Sequence, residues 1–550
     1  MTGFTIKTFG GIAPKISDRL LPNEMATRAE NVHFDSGQAT PIYTNSAATI
    51  TPVQSYTIDA QTKTLFKFND SIWIGSDEDI DIVRSPLAED PFERMYITGI
   101  GGSSGYPRMA LAQSIGNSTY YRLGLPVPPS ITTVAATPAT NEADVENPVS
   151  RAYTYTLVTA YGEEGPTAVS PVSQIIDVYS DQTVDLTFPS IPGGAYNITK
   201  RRVYRTDESG IFRFVADVNA SVTTFNDSVA EANLGEEVPS ATWDAPPDDV
   251  SADHPSGPMQ GLVALPNGIL AGFAGKTVCF SEAFQPHAYP DEYKLTVKSD
   301  VVALAPMTNG ILVMTKEKPA FIYGMQPESM SLSEIDSNHS CSSKQSVVDM
   351  GDFVMYASPD GLIAATETGI SVATENIYSR EQWQELNPSS IKGFFWEGHY
   401  IGFYDTGTVQ AGFMFDPRGG KNAFSELNWH ATAGYNDLEE DELYLVESGS
   451  VVKFQGDAGR RSFTWKSKVF HTARPINPGV FKVDAESYPV SGITFRLWAD
   501  DQLKHTEAVT DAKLHRLPSG YKANSFQIQL SSNRSVNEVC VYESPEEVNG

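Results

Sequence analysis

The feature that most constrains the fold is a repeated strand–turn–strand pattern between Gly261 and about Gln455. The first unit runs Gly261-Leu-Val-Ala-Leu-Pro-Asn-Gly-Ile-Leu-Ala-Gly-Phe and continues into Thr277-Val-Cys-Phe-Ser-Glu282. The second runs from Val301 through Asn309-Gly310 to Met314, then Pro319-Ala-Phe-Ile-Tyr-Gly324. Later units begin near Ser346, Ser390 and Trp429. The period of roughly 40–45 residues is the length of one four-stranded propeller blade. Asn267-Gly268 and Asn309-Gly310 stand at equivalent places between two apolar runs, the strongest short hairpin signal, and Asp360-Gly361 stands there in the third unit. A unit of this kind buries a sheet face only against its neighbours, so the pattern predicts a ring of blades.

A chain of 550 residues exceeds one ordinary core, which makes several domains the expectation. Strand patterning starts earlier, with Thr64-Leu-Phe-Lys-Phe68 and Ser71-Ile-Trp-Ile-Gly75 around Asn69-Asp70, followed by Ile80-Asp-Ile-Val83 and Met95-Tyr-Ile-Thr98. Residues 46–125 are therefore read as the first blades and 257–460 as the rest. Pro/Ala/Thr-rich linkers, Pro126-Val-Pro-Pro129 through Pro138-Ala-Thr-Asn-Glu142 and Pro246-Pro247 through Pro258, bracket an insertion at 145–245. Its alternating runs, Arg151–Ala160, Thr183–Phe188, Lys200–Arg205, Phe212–Ala216 and Thr223–Asn226, predict a β-sandwich, with Tyr161-Gly-Glu-Glu-Gly-Pro166 as a connecting loop. Residues 463–550 alternate in the same way and predict a C-terminal β-sandwich packed on the ring. Residues 1–45, punctuated by Pro14, Pro22, Pro41 and Gly10-Gly11, are read as an N-terminal arm with one short helix from Asn23 to about Asn31. The fold class is all-β.

The formal net charge of −29 opposes a grip on nucleic acid, which needs a basic patch to displace counterions. It suits a solvated surface, or a wall that DNA passes without sticking. Cys279, Cys341 and Cys540 are far apart, with no CxxC spacing, and point to neither a disulfide framework nor a zinc site. Cys279 reads as a small buried hydrophobe. Neither a secretory leader nor a membrane-length apolar run is expected.

Gly101-Gly-Ser103-Ser-Gly105 fits GxSxG, but a nucleophile elbow needs a helix after the serine, and Tyr106-Pro107 follows instead. Asp77-Glu-Asp-Ile-Asp81 resembles half of a calcium loop yet has Ile82 and Ala88 where glycine and glutamate are required, so it reads as a solvated turn. The histidines show no HxxxH or HxH spacing, and Glu439–Glu442 reads as protection of a strand edge. Lys200, Arg201, Arg202 and Arg205 form the dense basic cluster; they are read as a strand edge with charges split between faces, or as a docking point for an acidic neighbour. No catalytic, cofactor or metal residues are assigned, and the expectation is a protein that is not an enzyme.

Several stretches carry a resemblance. Phe9-Gly-Gly-Ile12 with Pro14, Leu20-Leu-Pro22, Ala26, Ala29-Glu-Asn-Val32, Gly37 and Pro41 resembles the opening of nozzle, or tail tubular B type, virion proteins of short-tailed bacteriophages. Phe280-Ser-Glu with Pro286-His-Ala-Tyr-Pro290, Arg202-Val-Tyr-Arg-Thr206 with Phe225-Asn-Asp227, and Arg516-Leu-Pro-Ser-Gly520 with Glu543-Ser-Pro-Glu546 resemble further segments of that family. The inserted domain itself resembles a fibronectin type III module. The resemblance implies a virion tail component, made in the host cytoplasm, that forms a homohexameric ring below the head-to-tail connector (adaptor) and touches other tail proteins. Its bore would conduct genomic DNA at ejection without specific binding. The arm would reach a neighbouring subunit or the connector. Two rivals remain: a receptor- or glycan-binding tail protein, with Trp383, Trp396 and Trp429 as candidate platforms, and a glycan-degrading propeller with carboxylates clustered in its channel.

Overall fold

Alternation of apolar and polar residues, interrupted by turn residues, leaves the chain almost entirely in antiparallel β-structure. A computed structural model describes residues 3–50, 58–70, 72–102, 105–114, 119–138, 148–168, 175–418 and 424–549. Ser71, Ser103 and residues 139–142, named above, lie outside these.

The repeat resolves into successive sheets. Gln260–Ala264, Leu270–Ala274, Thr277–Phe280 and Lys294–Thr296 pair in that order; so do Val301–Met307, Gly310–Thr315, Ala320–Tyr323 and Ser331–Glu334. The next two sheets start at Val348–Asp349 and Lys392–Trp396. An earlier one runs outward from Asp81–Arg84 to Tyr121–Arg122, and Thr64–Asn69 pairs with Ile72–Ser76 before it. The last sheet takes Gly434–Asp437, Glu442–Glu447 and Ser450–Lys453 from one end of the chain and Ser46–Ala47 from the other. Seven sheets, numbered 1 to 7 from Thr64–Asn69, thus follow one another among the described residues, and the first strands of six of them face a shared central cavity. The fold is all-β and propeller-like.

The Asn-Gly signals do mark hairpins, with one shift in register. Met307 pairs with Gly310, so Thr308 and Asn309 make the turn and Gly310 opens the return strand. Gly310 sits at φ +156°, and a Cβ there would lie 2.0 Å from the Ile322 carbonyl oxygen. Cys279 is buried in its strand.

The inserted stretch has a separate core of Tyr153, Tyr155, Leu157, Val184, Leu186 and Val203, between the sheet of 133–136, 184–187 and 224–227 and the sheet of 153–159, 198–206 and 212–219. The basic cluster does not lie on an edge: Ile198–Thr206 is the central strand of its sheet. Pairing on both sides leaves Arg201 and Arg205 buried on one face and Lys200 and Arg202 on the other.

The first 45 residues are not a free arm. Phe4–Ile6 pairs with Val536–Tyr542, and Ala26–Glu30 lies between Phe424–Leu427 and Phe463–Ser467, so sheet 6 continues into the C-terminal strands. The expected helix at 23–31 is this strand; pairing on both edges outweighs the local capping signal of Asn23 and Glu24. Phe9 meets Trp465 edge-on at 4.9 Å, and the Trp465 indole donates to the Gly10 carbonyl at 3.0 Å. Gly11 is glycine because a Cβ would fall 2.2 Å from the Phe424 carbonyl oxygen. Beyond this joint, Phe481 of the Val480–Ala485 strand stacks on Phe495 of Ile493–Ala499 with centroids 3.8 Å apart, joining the two terminal sheets.

Candidate functional site

The inner strands surround a cavity of about 270 Å³. Thr64, Asp81, Val263, Leu304, Phe394 and Gly434 line it from six sheets, and Val347 borders it just ahead of sheet 5. Asp81 begins the inner strand of sheet 2. One of its oxygens accepts from the Gly261 N–H at 3.0 Å and the Thr98 hydroxyl at 3.1 Å, and the other accepts from Lys344 Nζ at 2.9 Å. Lys344 also meets Asp79 at 3.0 Å. Sheets 2 and 3 and the turn just ahead of sheet 5 therefore converge on one carboxylate. Burial pushes the Asp81 carboxyl above its ordinary value in spite of Lys344. Burial pulls Lys344 the other way, but Asp81 and Asp79 outweigh it and leave the ammonium favoured. Lys392 donates to the Thr432 carbonyl, and burial holds its pKa below the ordinary lysine value.

The other mouth widens to about 510 Å³ beside Phe66, Ile82, Leu265, Phe284 and Tyr435. Lys67 Nζ lies there 2.6 Å from Asp437, 3.0 Å from Glu440 and 3.1 Å from Asp70, tying sheet 1 to sheet 7. Desolvation opposes its charge, but these carboxylates raise its pKa overall. Chemically, each mouth is a clasp: the charged groups neutralise one another across blade boundaries.

The Asp77–Asp81 run is a bend with Asp77 and Asp79 exposed, as expected, but Asp81 is drawn in to Lys344. Glu439 and Glu440 sit at a hairpin tip and reach Arg84 and Lys67. The strand Arg108–Leu111, rather than a helix, follows Gly105. Trp383 is fully buried, its indole donating to the Ser358 carbonyl at 2.8 Å, and Trp429 is 8% exposed. Trp396 is partly buried and packs edge-on against Phe454 at 5.2 Å. Lys344 and Lys392 escaped the sequence reading because each stands alone in its stretch.

Tyr161–Pro166, read as a connecting loop, is the seam between the insertion and the ring. Glu163 pairs with Arg94 of sheet 2 at 3.0 Å, and the Glu164 carbonyl accepts from His287 Nε2 at 3.0 Å. The Glu164 carboxylate accepts from Arg202 at 2.8 Å, Tyr204 at 2.6 Å and Thr156 at 2.7 Å. Arg202, one of the four cluster residues offered for docking, is therefore paired within this chain.

No family model and no curated protein matches the chain. Among solved structures, it is similar to an exo-β-1,3-galactanase from Phanerochaete chrysosporium at 8% identity and TM-score 0.20, over 51% of this chain and 95% of that one. It is similar to the β-propeller domain of Myceliophteria thermophila Cps50 at 11% identity and TM-score 0.23, over 49% and 90%. The AfRom2 CNH domain aligns at 6% identity and TM-score 0.25, over 72% and 98%. Likeness at this level carries no argument about activity, and the strand pairing carries the fold. No helix among the described residues is long and apolar enough to cross a membrane.

Proposed function

We propose that this chain is a structural, non-enzymatic component of a short-tailed bacteriophage tail, of the nozzle type, built from a propeller, an inserted fibronectin III-like sandwich and a C-terminal sandwich. The observation that carries the reading is where the resembling residues sit. Phe9-Gly-Gly-Ile12 and Ala29-Glu-Asn-Val32 form the joint that fuses sheet 6 to the terminal strands. A signature made of packing residues and close backbone approaches suits an assembly protein better than one whose signature holds reactive groups. The clasped channel supports the same reading, since Asp81 spends both oxygens on holding blades together.

On this reading the propeller cavity is not the DNA path, because about 270 Å³ held across by Lys344 and Asp81 admits no duplex. The conduit forms between copies of the chain in a hexameric ring beneath the connector, and the surplus of 29 negative charges lets phosphates slide past. With residues 1–45 engaged in their own chain, contact with neighbours falls to other surfaces.

Immunogold microscopy of virus particles with antibody to this chain tests the proposal. Gold on the tail stem is expected. Gold at peripheral tips would favour receptor binding, and unlabelled particles would remove the virion reading. Release of reducing sugar by the purified chain would overturn the non-enzymatic part.

A further inference from the structure

A cluster outside the channel joins the N-terminal segment to sheet 6. Trp396-Glu397-Gly398-His399 is the hairpin between Lys392–Trp396 and His399–Asp405, with Glu397 at φ +45° and Gly398 at φ +80°. This turn aims the Glu397 carbonyl at His399 Nδ1, 3.3 Å away, and the same carbonyl accepts from Arg418 at 3.3 Å. A carbonyl only accepts, so Nδ1 carries a proton, and in the neutral ring the lone pair is on Nε2. That Nε2 faces Asp35 Oδ1 at 3.4 Å. Asp416 follows the strand paired with His399–Asp405; Tyr400 pairs with Phe415, which sets Asp416 across from His399. Ligand atoms of Asp35, His399 and Asp416 all lie within 4.8 Å of one another. In that tautomer one ring lone pair and two carboxylates offer three ligand atoms to one small volume.

We propose that Asp35, His399 and Asp416 form a site for one divalent transition-metal ion, with zinc as the reference ion. One imidazole nitrogen and two carboxylate oxygens are a donor set that suits zinc, leaving a fourth position for water. Two donors each about 2 Å from a tetrahedral ion stand about 3.3 Å apart, close to the His399–Asp35 separation. The supporting shell is in place: His33 Nδ1 lies 2.9 Å from Asp35 Oδ2, the Glu397 carbonyl fixes the His399 tautomer, and Arg418 Nε donates to Asp416 Oδ1 at 3.0 Å, leaving Oδ2. His399 is 4% exposed, so its position is set by the fold rather than by the ion. The ion would fasten the 34–39 loop to sheet 6, far in sequence from both other ligands.

The test is zinc titration of the full chain after chelator treatment, by calorimetry, with Co²⁺ absorption reporting four-coordinate geometry. One ion per chain is expected. Asp416→Asn and the shape-preserving Asp35→Asn should each weaken binding at least tenfold, and His399→Ala should abolish it, with circular dichroism confirming that each variant is folded. His254→Ala, in the separate Asp248, Asp249 and His254 group, should leave the first binding event unchanged. No saturable uptake would overturn the site and leave a protonated His399 between the carboxylates. Uptake that survives both asparagine variants, or that disappears in His254→Ala, would overturn it as well.

Discussion

The ring and the terminal body are both mainly antiparallel β-structure, joined by a parallel contact of Ala26–Glu30 with Phe424–Leu427, but they are wired in opposite ways. In sheets 2 to 5 each strand pairs with the next in sequence, as Val301–Met307 does with Gly310–Thr315. In the terminal body, Thr5 pairs with Cys540, and Ala26–Glu30 joins strands that begin at Phe424 and Phe463. Local hairpins close short loops at little entropic cost, whereas pairing of the two chain ends must await nearly everything between them. The difference teaches that the ring assembles blade by blade while the termini act as its fastening. Sheet 7 makes the same point on a smaller scale, since Ser46–Ala47 closes it from the other end of the chain.

The comparison breaks most visibly on truncation. Removing residues 1–45 deletes two paired strands together with buried Ile6, Phe9, Ile12, Leu21, Met25 and Val32. At roughly 1.5–3 kcal/mol for each of these six side chains, the loss of about 9–18 kcal/mol is as large as a typical domain stability of about 5–15 kcal/mol. The truncated chain is expected to unfold over residues 463–549, which limited proteolysis would reveal as cleavage there. An unchanged thermal transition would mean that the first 45 residues are an arm after all.

This difference in wiring also decides what the sequence makes legible. Blade spacing was readable because each hairpin carries its own alternation and turn residues within one short window. The strand Ala26–Glu30 was not: its inward residues are alanines, which give little periodic signal, and its partners lie some 400 residues away. The channel was hidden for a related reason. Lys344 and Lys392 belong to no local motif, the run that ends in Asp81 reads locally as a turn, and only ring closure brings Lys344 beside Asp81. In the insertion, alternation correctly divided the basic cluster between two faces, yet nothing local said that Ile198–Thr206 is a central strand.

That central strand sets a second, smaller test, confined to the insertion. Arg205 and Asp227 are fully buried and 2.6 Å apart, with Tyr153 donating to the same carboxylate at 2.7 Å. Arg205→Ala strands a buried carboxylate and should cost about 3–5 kcal/mol. Calorimetry should show the loss in a transition belonging to the insertion while the ring's is unmoved. Arg205→Met with Asp227→Leu should recover much of it, because neither charge then remains buried alone. If both variants shift the ring's transition equally, the insertion is not an independent unit.

The smallest effect belongs to the seam between insertion and ring. His287 is 4% exposed, its Nε2 donates to the Glu164 carbonyl at 3.0 Å, and its Nδ1 has no partner among the described residues. Burial pushes its pKa below the ordinary histidine value, in spite of Glu163 nearby. Between the folded and unfolded pKa values the unfolded chain therefore binds more protons, so stability is complete at neutral pH and falls as pH drops below about 6.5. The slope is limited to about 1.4 kcal/mol per pH unit for one proton. Asp90 titrates at lower pH, since Arg94 holds its carboxyl below the ordinary value against the effect of burial, and so the two windows separate. His287→Gln keeps a donor for the Glu164 carbonyl and removes the titration, so thermal melts at pH 7.5 and 5.5 should converge for that variant. An unaltered acid slope would place the acid sensitivity elsewhere.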